Sequence, residues 1–108
     1  MSETLAMVAM TTVPDETVAT QLAETLVKEG LAACVHILPQ GRSFYIWDGE
    51  FQKDEEWTLI LKLRRDGYPQ LEERLRDLHP YEVPELIALP VVEGYAPYLT
   101  WLAGSREG

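Results

Sequence analysis

Residues with reactive or ligating side chains other than acids are few and scattered: one cysteine, two histidines and three lysines, set among apolar runs and 18 acids. Cys34 and His36 lie in "AACVHI". Two residues apart on a strand, they face the same side, and such a pair can chelate. A transition metal usually takes three or four protein ligands, however, so the pair alone is incomplete. Cys34 reads either as a thiolate, which needs positive or hydrogen-bonding company, or as a small buried hydrophobe. His79 opens "HPYEVPE", where Pro80 and Pro84 stiffen the backbone. A histidine held that way suits a ligand or general base, and it equally suits capping the end of a preceding helix.

Glu56 and Lys62 stand an even number of residues apart in "EWTLILK" and so share one face of a strand. On an apolar face they need partners and could hold a charged small molecule; at a sheet edge they are ordinary solvated residues. Trp47, Trp57 and Trp101, with five tyrosines, are generous for this length. Aromatic rings with polar tips suit either a subunit interface or the core. No phosphate loop, dinucleotide-binding glycine pattern, zinc-spaced cysteine pair or nucleophile elbow occurs. No catalytic constellation assembles, and a non-enzymatic role is expected. A hydrolase built on Cys34 with His36 or His79 is the catalytic alternative.

The elements that must position these residues follow from period and punctuation. "LAMVAMTT" (5–12) has strand length and composition. Pro14, Asp15 and Glu16 then open a helix whose face is Val18, Leu22 and Leu26, closed at Gly30. "LAACVHIL" (31–38) reads as a buried strand and "SFYIW" (43–47) as an aromatic one. "DG" at 48–49 gives a tight hairpin into "EFQKD". "EWTLILKL" (56–63) alternates Trp57, Leu59, Leu61 and Leu63 against Thr58, Ile60 and Lys62. Asp66, Gly67 and Pro69 start a second helix with Leu71, Leu75 and Leu78 inward. A strand at 86–92 and a short helix at 96–104 complete the chain. The order is β-α-β-β-α-β with an extended central hairpin and a C-terminal helix, the helices expected on one face of an antiparallel-rich sheet.

The 108 residues argue for one domain spanning the chain. A net charge of −9 disfavours nucleic acid and anionic membranes, and it is compatible with attraction of cations or with simple solubility. No apolar run reaches the length of a membrane span, the N-terminus lacks the basic region of a signal peptide, and a lone cysteine forms no internal disulfide. A cytoplasmic location is expected.

The segments "TTVPDE", "LAACVHILP", "SFYIWDGE", "LILK", "LHPYEVPELIALPV" and "YLTWL", in this order, resemble the CutA divalent-cation tolerance family over about residues 5–103. The resemblance implies a ferredoxin-like fold, a homotrimer similar in architecture to PII signalling proteins, and candidate ligand sites in the clefts between subunits. It implies a role in tolerance to divalent metals, copper among them, with no catalytic activity assigned. The family's recurrent residues match Cys34, Trp47, Glu56, Lys62, His79, Tyr81, Glu85 and Trp101. By this resemblance His79 and Cys34 are the metal candidates, and Glu56, Lys62, Tyr81, Glu85, Trp47 and Trp101 the small-ligand candidates. A PII-like trimer that binds an anion through Lys62, with no metal role, is the alternative. The chain departs from the family at His36, commonly asparagine. It also has Thr11 and Leu78 where some members have a cysteine and a second histidine.

Overall fold

The computed structural model describes residues 4–104. Strand β1 (Ala6–Val13) leads to helix α1 (Glu16–Lys28). The Asp15 carboxylate accepts a 2.8 Å hydrogen bond from the Val18 N–H and caps the helix. That bond satisfies a donor with no partner inside the helix, so the helix begins after Asp15. Pro14 therefore precedes the cap instead of occupying the first turn. At the other end Gly30 takes a φ of 77°, a left-handed conformation that costs glycine little. The chain reverses there, and the Leu31 and Ala32 N–H groups both donate to the Leu26 carbonyl. This reversal uses up residues 31–33. Strand β2 is accordingly only Cys34–Ile37, shorter than the apolar run of the sequence suggests.

Strand β3 (Gly41–Trp47) turns through Asp48 (φ 55°) and Gly49 (φ 81°) into β4 (Glu50–Arg64). Two successive positive φ values make the turn whose twist matches that of a hairpin. The two strand segments expected at 50–54 and 56–63 are one continuous strand of 15 residues. Its first half pairs only with β3, and its second half is flanked by β1 and β2. The hairpin therefore projects from the body, and the molecule measures 45 × 30 × 24 Å. A single 3₁₀ turn precedes α2 (Tyr68–Leu78), which carries Pro69 in its first turn. Strand β5 (Ile87–Pro90) and α3 (Ala96–Gly104) follow.

The sheet order is β2-β4-β1-β5, all antiparallel, with β3 added to β4 outside that path. This is the expected β-α-β-β-α-β plan. Leu59, Leu61 and Leu63 from β4 meet Ala9 and Val13 from β1, Leu22 and Leu26 from α1, and Leu71 and Leu75 from α2; all are buried in one cluster. The leucine spacings in α1 and α2 keep one stripe inward, and the period of two in β4 turns alternate leucines towards it. The third helix does not join this layer. It meets Lys62 and Arg64, which alternate with Leu61 and Leu63, so α3 lies on the opposite face of the sheet.

Candidate functional site

The opposite face continues along β4 to Glu56, Asp54 and Gln52. There a cleft of about 970 Å³ opens between the hairpin and the connector at 80–85. The register set by the Asp48–Gly49 turn places Tyr45 opposite Gln52 and Ser43 opposite Asp54. Tyr45, Asp54 and Glu56 therefore line one wall, and Tyr81, Glu82 and Glu85 the other.

Glu56 is 7% exposed. Tyr81 covers it, and its hydroxyl donates to Glu56 Oε2 at 2.9 Å. Burial, and then this hydrogen bond to a carboxylate, push the Tyr81 phenol well above the ordinary tyrosine range, because both penalise the phenolate. The Tyr45 hydroxyl donates to Asp54 in the same manner across the hairpin. Its phenol is also raised, chiefly by that hydrogen bond.

His79 fixes the connector. It caps α2, its backbone N–H donating to the Leu75 carbonyl at 2.9 Å. Its ring Nδ1 accepts the Tyr81 N–H at 3.1 Å, and Nε2 lies 2.7 Å from the Thr12 carbonyl oxygen. A carbonyl only accepts, so the proton sits on Nε2 and the lone pair on Nδ1 is already used. The ring also packs at a tilt against Tyr81, centroids 4.8 Å apart. Thr11, fully buried, donates from its hydroxyl to the Glu85 carbonyl at 2.6 Å. The Thr12 hydroxyl reaches Glu85 Oε1 at 3.4 Å. The end of β1 thus holds both ends of the connector, and Thr11 has a structural role here.

Within one chain the two metal candidates do not meet. Cys34 pairs with Lys62 on one side of β4, whereas Thr12, which holds His79, pairs with Thr58 on the other. Four residues along a strand separate these positions by roughly 13 Å, before the width of the intervening strands is added. His79 has no free lone pair, and Cys34 is half-buried. Among the described residues no three His, Cys, Asp or Glu side chains converge as a metal site. The described residues of a single chain do not fit copper, and His79 acts among them as a helix cap and connector clamp.

The small-ligand candidates divide into two groups. Glu56, Tyr81, Glu85 and Trp47 all line the cleft. Lys62 lies six residues further along β4, roughly 20 Å away. Its ammonium is 5.9 Å from the centre of the Tyr98 ring, and Tyr98 packs against Trp101. His36, opposite Ile60 on β2, is exposed. Asp54 opens the acidic run "DEE" (54–56), which by type could attract cations or be a solvated loop end, whereas no motif marks Tyr45. The "DG" turn was their signal, since it fixes the register that brings them together.

Architecture and site together define a ferredoxin-like domain with a projecting hairpin, a half-covered second sheet face and an acidic, aromatic cleft between them. The chain matches the CutA1 divalent ion tolerance protein family over residues 7–105 and belongs to it. It is 50% identical over 95 residues to the divalent-cation tolerance protein CutA of Thermus thermophilus, covering 88% of this chain and 92% of that protein. The solved structure of the Thermus protein superposes with a TM-score of 0.90 at 47% identity, over 93% of this chain and 97% of that one. The human protein CutA is 44% identical over 99 residues, which are 92% of this chain and 55% of that protein; the chain spans about half its length. A structure described as the periplasmic divalent cation tolerance protein CutA from Archaeoglobus fulgidus superposes with a TM-score of 0.90 at 27% identity, covering 94% and 98%.

Proposed function

We propose that this chain acts in tolerance to divalent cations, copper among them, as a cytoplasmic, non-enzymatic homotrimer that binds the metal or a small ligand at clefts between subunits. The match to the CutA1 family over residues 7–105 carries this reading. The surface supports assembly. Ile46, Phe51, Trp47, Ile87, Leu89 and Trp101 are each more than half exposed, an apolar excess of the kind that oligomers cover. Because the described residues of one chain do not gather three metal donors, we take coordination to call on donors from more than one subunit. The net charge of −9 favours cations near any such site. The cytoplasmic assignment rests on the single cysteine, and fractionation of cells with compartment markers tests it.

Sedimentation of the full chain is expected to give a trimer, and copper titration by calorimetry a saturable stoichiometry. A stable monomer would remove the assembly. A trimer with only weak, non-saturating heat would remove the copper role and leave the PII-like alternative. One observation favours that alternative: among the described residues Lys62 has no carboxylate partner. It predicts anion binding lost in Lys62→Ala.

A further inference from the structure

His79 is a buried titratable side chain, 7% exposed, and both of its ring nitrogens are spent on backbone groups. Nδ1 accepts the Tyr81 N–H at 3.1 Å, and Nε2 donates to the Thr12 carbonyl at 2.7 Å. One ring thus ties the start of the connector to the end of β1. The arrangement requires a neutral imidazole. A proton added to Nδ1 turns that atom into a donor aimed at an N–H, which can only donate. Turning the ring over sets carbons where the nitrogens were, and both bonds are then lost.

The surroundings offer an imidazolium no counter-charge. Among the described residues no carboxylate pairs with the ring. From β4, Glu56 is engaged with the Tyr81 hydroxyl, and Tyr81 itself packs at a tilt against the imidazole. On the connector Glu82 and Glu85 are exposed, and the Glu85 carboxylate accepts from the Thr12 hydroxyl. The last turn of α2 carries Arg76 and Asp77, both exposed and of opposite sign. Beyond β1, which presents the uncharged Thr11 and Thr12, Asp15 is committed to capping α1. A cation buried without a partner is costly, so a protonated ring leaves its site for water.

We infer that His79 is an acid-operated latch for the connector at 80–85: the neutral ring clamps the connector to β1, and the protonated ring lets it go while the leucine core stays folded. The first tie to break is at Tyr81, whose backbone N–H the ring holds and whose hydroxyl covers Glu56. Tyr81, Glu82 and Glu85 form one wall of the cleft, so the latch decides whether that wall is in place. The inference goes beyond the reading above and does not depend on it. With both nitrogens engaged, His79 offers no lone pair to a metal, and the latch needs no ligand.

The test is amide exchange by NMR on the full-length protein in its native assembly, with a chelator present to keep metal out. The pH runs from about 8 to about 5.5, across the ordinary histidine range and above the ordinary carboxylate range. After correction for the intrinsic pH dependence of exchange, protection along 81–85 is expected to fall by about tenfold or more, with that of Leu61 in β4 unchanged. His79→Asn keeps an acceptor for the N–H two residues on and takes up no proton, so its protection there is expected to stay level with pH. If that variant fails to fold, the ring nitrogen shifts of the parent decide, since protonation of Nδ1 must run in step with the loss of protection. The inference is overturned if the parent's connector is equally protected across the range, or if His79→Asn shows the same fall. It is also overturned if the ring stays neutral while the connector opens, or if opening occurs only as the assembly dissociates in sedimentation.

Discussion

The two faces of β4 carry alternate residues of the same strand and have opposite fates. On one face Leu59, Leu61 and Leu63 are sealed by α1 and α2 and are at most 1% exposed. On the other, Thr58, Ile60 and Lys62 are only part-buried, α3 covers the sheet at one end, and Glu56 and Asp54 border the cleft at the other. The first face is a dry hydrocarbon layer, and burial there is its own reward. The second combines charge, hydroxyls and rings that need partners, and the connector at 80–85 supplies some of them: Tyr81 to Glu56, and Glu85 to the Thr12 hydroxyl. The closed face holds the fold, while the open one selects what the fold meets.

That division is sharpest, and most easily broken, at Leu61. Leu61→Ala should cost about 2–5 kcal/mol in denaturant unfolding, as deletions in packed cores do. A loss under about 1 kcal/mol would mean that the closed face is not where cohesion resides. Thr11→Val keeps the shape but removes the hydroxyl bonded to the Glu85 carbonyl. The expected loss is about 1–2 kcal/mol, with faster amide exchange along 80–85 and none elsewhere. Uniform acceleration over the whole chain would show that the connector is part of the core after all.

A smaller effect separates the faces by pH. The Tyr81 phenol is raised in the folded state, so the stability it contributes is present below the ordinary tyrosine value of about 10. It is lost as pH climbs from there through the folded value. Absorbance titration should show more than one late-ionising tyrosine, the latest of them absent in Tyr81→Phe, which itself should cost about 1 kcal/mol at neutral pH. The least effect is expected at the exposed Glu29–Arg74 pair, two parallel hydrogen bonds of 2.9 Å between α1 and α2. Arg74 holds the Glu29 carboxyl below the ordinary glutamate range through those bonds, so the pair contributes above that range and fades as pH falls through the lowered value. Arg74→Ala should shift the acid limb of unfolding slightly and hardly at all in high salt.

Much of this architecture was legible because local signals agreed. Leu22 and Leu26 in one helix and Leu71 and Leu75 in the other sit at helical spacing, the β4 leucines alternate, and "DG" names its own turn. Where reading failed, a local tie had overruled composition. Asp15 capping displaced Pro14 from the first turn, and the reversal after Gly30 shortened β2. The placement of α3 was illegible because it is apolar on nearly every side and marks no inward face; Lys62 and Arg64 decide it through contacts 36 and 39 residues away in sequence.

The candidate site divides the same way. Sequence by itself determined the strand faces: Glu56 and Lys62 share one, as Cys34 and His36 share another, because side chains alternate along any strand. It also determined that a stiff connector follows the second helix, since Pro80 and Pro84 leave the backbone little choice, although Leu78 itself still belongs to α2. Only the tertiary structure decided that Glu56 lies under Tyr81 while Lys62 lies under Tyr98, that His79 uses both ring nitrogens on the backbone, and that Cys34 stands apart from it. Those outcomes depend on which strand neighbours which and in what register, and the pairing energies that settle them come from residues far apart in the chain.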